Sequence, residues 1–167
     1  VSQDYDRETG LIGDGVSKYI STNFNNNTNP QNDNHMTVYV TEYSANESIL
    51  ISGGSQTEML KSSINRLRTY NRTSILGDST ATIATGFAGM SRSTSGSYEL
   101  RNASSNKTIN NSSAVAQNNS VLLYKRPGTT AFSNDGRISF YSVGESLNLA
   151  LFDSRVTALM TAIQTTI

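Results

Sequence analysis

The stretch Arg66-Leu67-Arg68-Thr69-Tyr70-Asn71-Arg72 places its chemistry at every second residue. In an extended strand, alternate side chains share a face, so Arg66, Arg68, Tyr70 and Arg72 are predicted to point one way. Leu67, Thr69 and Asn71 point the other. Guanidinium groups donate to hydroxyls and grip anions, and a tyrosine ring stacks on flat or sugar-like surfaces. Tyr98 and Arg101 add a ring and a cation further along the chain. These six residues are the candidate ligand-binding set.

Residues that could break bonds are scarce. The chain of 167 residues has one histidine and no cysteine. A Ser-His-Asp triad would need His35 as its base, and no G-x-S-x-G elbow accompanies it. Glycosidases use two carboxylates about 5–9 Å apart. The one acidic pair at strand spacing is Asp4-Tyr5-Asp6, in a polar stretch; Glu42, Glu47, Glu58, Glu99 and Glu145 stand singly. No catalytic residue is assigned, and an enzyme is not expected. A lone histidine cannot build a transition-metal site of the usual kind. Asn32-Asp33-Asn34 and Asn134-Asp135 offer oxygens for calcium, but no EF-hand loop is present and Asn-Asp pairs also make turns. No metal site and no cofactor are assigned. The glycine stretches at 10–15 and 52–55 lack the P-loop lysine and read as turns.

The elements that must hold these residues are short strands. Asn, Ser and Thr supply more than a third of the chain. They compete with helical hydrogen bonding and favour turns, and Thr also favours strands. Thirteen basic residues balance thirteen acidic ones, which leaves no electrostatic footprint for nucleic acid. No apolar run approaches the ~18 residues of a membrane span. The polar opening VSQDYDRETG reads as a lead-in segment, residues 1–16, with no signal peptide. His35–Ser44 alternates cleanly, with Met36, Val38 and Val40 on one side. Strands are also expected at 18–24, 48–52, 58–64, 65–75, 80–91, 96–102, 107–110, 120–125 and 137–143, separated by Gly, Pro, Asn and Ser turns. That spacing indicates a single two-sheet sandwich or barrel over residues 1–167. Glu145–Ile163 switches to helical period: Phe152, Val156, Leu159 and Ile163 form a stripe flanked by Leu149 and Met160, with Asn148 as N-cap. The stripe packs on the sandwich or on another chain. About eight N-x-S/T sequons occur, including Asn46, Asn71, Asn102, Asn106 and Asn118, as expected by chance at this composition.

Two stretches carry a resemblance. LIGDGVSKYI followed by HMTVYVTEY resembles the opening of laminin-G-like, concanavalin A-like jelly-roll domains. DGRISFYSVGESLNLALFDSRVTAL resembles their closing strand and short helix. The middle, GFAGMSRSTSGSYELRN, is similar to stretches in proteins of bacteriophages and environmental bacteria. The resemblance implies an antiparallel two-sheet jelly roll used for recognition. In bacteriophages such domains sit on tail fibres, spikes or capsid decorations and bind host surface glycans. It therefore implies a location on a virion surface or otherwise outside the cell. The implied partners are a host glycan, other virion proteins and further copies of the chain, as in a trimer, with no nucleic acid and no membrane span. The alternative is a structural module that assembles without a ligand. Two departures stand out: the calcium loops of such domains are not recognisable, and no tryptophan offers a sugar platform.

Overall fold

The computed structural model describes residues 4–129 and 131–166, the side chain of Thr80 excepted; Val1–Gln3, Thr130 and Ile167 lie outside the described residues. The described chain is an all-β antiparallel sandwich with one C-terminal helix. Its strands are β1 (Tyr5–Asp6), β2 (Gly10–Ile12), β3 (Ile20–Asn25), β4 (Asn34–Glu42), β5 (Ser48–Ser52), β6 (Thr57–Lys61) and β7 (Arg66–Asn71). They continue with β8 (Gly77–Thr82), β9 (Gly86–Arg92), β10 (Tyr98–Asn102), β11 (Ser105–Ile109), β12 (Ser120–Leu123) and β13 (Arg137–Gly144), and α1 spans Leu149–Thr166. The seven-stranded sheet runs β1-β2-β13-β4-β9-β10-β11 and the six-stranded sheet β3-β12-β5-β6-β7-β8.

Alternation builds the core. Met36, Val38 and Val40 from β4, Ala88 and Met90 from β9, and Ile138 from β13 meet Leu50, Ile51, Met59, Leu67, Val121 and Leu123 of the other sheet. The opposite side chains of the seven-stranded sheet, Tyr39, Phe87 and Phe140, cluster with α1 instead. The helix therefore covers the outer face of that sheet. Asn148 caps it as expected: its side-chain oxygen accepts the Leu151 N–H at 3.0 Å, and its carbonyl accepts that of Phe152. Gly89 lies beneath the helix, where a Cβ would come within 3.0 Å of the Leu149, Phe87 and Thr37 side chains.

Three expectations are corrected. The lead-in segment, read as having no strand, holds two: β1 pairs with β2, and β2 pairs with β13. Gly10 makes this possible: its φ is +90°, and a Cβ there would lie 2.4 Å from the Ile138 carbonyl oxygen. The expected strand over 80–91 is two, the end of β8 and most of β9. The helical stripe is Leu149, Phe152, Val156, Met160 and Ile163, and Leu159 lies outside it, 49% exposed. At about 100° per residue, Leu159 falls past Phe152 and outside the buried arc, while Met160 lies inside it, next to Leu149.

These two neighbours give a direct comparison. Met160→Ala is expected to cost about 2–5 kcal/mol of folding stability, and Leu159→Ala less than about 0.5 kcal/mol. Denaturant melts of the two variants check this; equal losses would mean that the helix is rotated from the position described.

Candidate functional site

With one outer face covered by α1, the open part of the other outer face lies along β7, since β5 and β6 of the six-stranded sheet are buried throughout. Along β7, Leu67, Thr69 and Asn71 are buried, Arg66 is exposed, and Arg68 and Tyr70 are half-buried. Arg66, Arg68 and Tyr70 therefore stand together on the outward side, supported by rigid neighbours. Tyr70 is paired across the ladder with Glu58 of β6, and Arg68 with Leu60 of β6 and Asp78 of β8. Met59 faces the core, so alternation turns Glu58 and Leu60 outward as well.

Carboxylates accompany the cations. Arg68 lies 3.7 Å from Glu47 and 4.0 Å from Asp78, and Arg66 lies 3.9 Å from Asp78. Glu58, 1% exposed, takes Arg126 through two bonds of 2.8 and 2.6 Å and also accepts the Ser52 hydroxyl. That pairing holds the Arg126 pKa above its ordinary value. The Arg126 guanidinium also lies 5.4 Å from the Phe132 ring centroid.

The other three candidates do not join this face. Arg72 follows the last residue of β7 with φ +49°, which breaks the alternation and turns its side chain inward. It is 1% exposed and donates to the carbonyls of Asn26, Asn29 and Pro30. Burial, with the nearby Arg92 charge, pushes its pKa down to about 10. Tyr98 is a core residue, 2% exposed, whose hydroxyl meets that of Thr69 at 2.9 Å. Burial raises its pKa to about 12. Arg101 belongs to the other sheet. Its Nε donates to Asp153 of α1 at 2.6 Å and its Nη1 to Asn106 at 2.8 Å, at the floor of a groove of about 640 Å³ between α1 and β10.

Glu47, Glu58, Asp78 and Arg126 complete the outward face and were not among the predicted residues. Glu58 and Asp78 carry a usable signal, since alternation from Met59 and the β7–β8 hairpin bring them beside Tyr70 and Arg68. Arg126 follows β12 in a turn and leaves no periodic trace.

The acidic and histidine candidates for chemistry serve structure. Asp6 accepts the Glu8 and Thr9 N–H groups and the Thr9 hydroxyl, which holds its carboxyl below the usual range. Asp4 pairs with Lys18 at 2.5 Å. Asp33 accepts the Ser146 N–H, Asn32 accepts the Ser113 hydroxyl, and Asn134 accepts the Gly136 N–H. Among the described residues, no group of three or more His, Asp or Glu side chains is placed to hold a metal ion. His35 is buried, with Nδ1 against the Glu145 carbonyl and Nε2 at 2.8 Å from the Ser142 hydroxyl. Its ring also meets Phe152 edge-on at 6.1 Å. A carbonyl can only accept, so Nδ1 carries the proton and Nε2 takes the serine hydroxyl. Burial lowers the pKa of this ring.

No protein-family model matches the chain, and no curated protein matches it in sequence. Solved structures share its fold. The carbohydrate-binding module CBM40 of the Ruminococcus gnavus IT-sialidase superposes with a TM-score of 0.54 at 15% identity, over 83% of this chain and 95% of that one. The same module bound to α2,3-sialyllactose gives 0.53 at 15% identity, over 86% and 97%. A native heptameric SAP-like pentraxin from Limulus polyphemus gives 0.47 at 16% identity, over 84% and 82%. At such identities the likeness describes architecture: an antiparallel jelly-roll sandwich.

The histidine yields a pH prediction. Its folded pKa lies below the unfolded value of about 6.5, so the unfolded chain binds the proton more readily. The stability that neutral His35 supports is complete above about pH 6.5 and is lost as pH falls towards the folded pKa. The melting temperature should therefore drop between neutral pH and about pH 5, and His35→Gln should flatten that drop. An identical pH slope in the variant would show that His35 is not the group titrating.

Proposed function

We propose that the domain is a non-catalytic module that binds glycans through the outer face of its six-stranded sheet. The observation that carries this is the row Arg66, Arg68 and Tyr70, exposed or half-buried, on a strand whose other face is locked in the core. Strand alternation sets these side chains roughly 7 Å apart, a spacing that suits successive sugar contacts. Guanidinium groups donate to hydroxyls, and the tyrosine offers a ring and a phenol. The fold is that of a module whose solved form holds α2,3-sialyllactose, which supports the class of ligand but not its identity. The absence of catalysis is part of the same reading: the sole histidine has both ring nitrogens engaged, and Asp6 is tied into a turn.

The setting we propose is a virion surface or another exterior site, within a bacteriophage fibre, spike or capsid decoration. Each site of this open kind is weak, and repeated copies on one particle supply retention through avidity. A host surface glycan is the partner, with other virion proteins beside it. A second reading, a structural module that assembles without a ligand, draws on Leu151 and Leu159, 55% and 49% exposed on the outward side of α1. A contact there would join copies of the chain, as in a trimer.

Adsorption of the multivalent domain to host cells or to immobilised glycans tests the main reading. Arg68→Ala and Tyr70→Ala should each weaken adsorption about tenfold, the scale of one lost charge-assisted bond or stacking contact, with unchanged melting temperature. Undiminished adsorption in both variants would leave the structural module as the better account.

A further inference from the structure

We infer that the outward face of the six-stranded sheet selects neutral, hydroxyl-rich glycans over acidic ones. The inference rests on the reading of that face as a glycan site and gives it a substrate class. Its ground is the charge carried by the face. Three cations, Arg66, Arg68 and Arg126, stand beside three anions, Glu47, Glu58 and Asp78, and each cation has a carboxylate within 4.0 Å. Over these six side chains the formal sum is zero, with the Lys107 ammonium at their margin, donating to the Asp78 carbonyl at 2.7 Å. A face tuned for acidic sugars would carry surplus cations, because an anion is held by charge that nothing else neutralises.

The geometry agrees with the sum. Gripping a carboxylate in bidentate fashion needs two N–H groups on one edge of a guanidinium. The Nε and Nη2 edge of Arg126 is already occupied by both oxygens of Glu58. An acidic group approaching Arg68 would meet Asp78 and Glu47 on either side. Like charges about 4 Å apart repel even in bulk water, and more strongly at a protein surface.

A hydroxyl has neither difficulty, because it donates and accepts at once. The Arg68–Asp78 pair is set for such a group. Its closest contact is 4.0 Å, longer than a hydrogen bond, and Arg68 Nε and Asp78 Oδ1 have no hydrogen-bond partner among the described residues. The two side chains remain 29% and 28% exposed. A sugar hydroxyl that donates to the Asp78 carboxylate and accepts from the Arg68 guanidinium at their exposed edges bridges an ion pair that is already loose. Vicinal hydroxyls extend the pattern to the next carboxylate and guanidinium, with the Tyr70 ring covering the apolar face of the sugar.

An array of immobilised neutral oligosaccharides, with their sialylated, sulfated and uronic acid counterparts, tests this with the multivalent wild-type domain and two variants, Arg68→Ala and Asp78→Asn. The expected result is wild-type binding to neutral glycans that changes less than about twofold from low salt to about 0.5 M, since no net charge is being paired. Arg68→Ala should weaken that binding. Asp78→Asn removes one repelling carboxylate, and its binding to acidic glycans at low salt should rise about fivefold. A wild-type preference for acidic glycans, falling with salt and lost in Arg68→Ala, would overturn the selectivity while leaving the glycan face standing. An Asp78→Asn variant with no gain towards acidic glycans would also contradict it. Absence of binding to every glycan in multivalent form would instead overturn the glycan reading, and this inference with it.

Discussion

Two guanidinium groups that never reach water fix one end of this sandwich. Arg92 is fully buried, and Arg72 is 1% exposed. Neither has a carboxylate within ion-pair distance among the described residues; both are held by backbone carbonyls. Arg92, at the end of β9 in the seven-stranded sheet, donates to the Asn71 carbonyl of β7 in the other sheet and to those of Thr94, Ser95, Ser97 and Asn111. It also lies over the Tyr98 ring at 5.2 Å. Arg72 gathers the carbonyls of Asn26, Asn29 and Pro30. Burying a charge costs several kcal/mol unless its donors are satisfied, so these loops are obliged to keep their carbonyls turned inward. A loop rich in Asn and Ser that would otherwise wander is thereby given a shape. Because Arg92 bonds across the two layers, it also fixes their separation at that end. The strand it holds, β7, is the one that carries the candidate face.

The other constraint is the placement of the helix. The seven-stranded sheet has aromatic side chains on its outer surface, and α1 covers them with its apolar arc. On the six-stranded sheet the chain after β12 folds over β6, where Glu58 and Leu60 are buried, and leaves Arg66, Arg68 and Tyr70 of β7 uncovered or half-covered. The outward side chains left uncovered on β7 are charged or phenolic, and carboxylates stand beside the two arginines. One outer face is thus spent on stability, and the other is left polar, rigid and available. This division follows from which residues alternate outward on each sheet.

Much of the architecture was legible because alternation is local. Met36, Val38 and Val40 mark β4, and Leu67 and Thr69 mark β7, without knowledge of their partners. Asn148 announced the helix start through its capping chemistry. What escaped the sequence was non-local or depended on a single dihedral. The two-residue β1 exists because β2, itself paired with β13, stands beside it. Arg72 continues the spacing of Arg66, Arg68 and Tyr70, yet one residue with positive φ sends it into the interior. Tyr98 and Arg101 are three apart on one strand, so they lie on opposite faces: Tyr98 towards the core, Arg101 towards the helix. Sequons at Asn71 and Asn102 are likewise buried, at 0% and 2% exposure. Arg126 reaches Glu58 only because the chain after β12 folds over the outer face.

The central claim is that Arg66 and Arg68, and not the buried or helix-side arginines, meet the ligand. The Nε–Hε resonances of arginine report on each guanidinium separately and can be followed by NMR during titration with a bound glycan. The account predicts that the Arg66 and Arg68 signals move with saturating concentration dependence. Those of Arg72, Arg92 and Arg101 should stay in place, held by carbonyls or by Asp153. Shifts confined to Arg101, with Arg66 and Arg68 unmoved, would contradict it and assign recognition to the groove beside the helix.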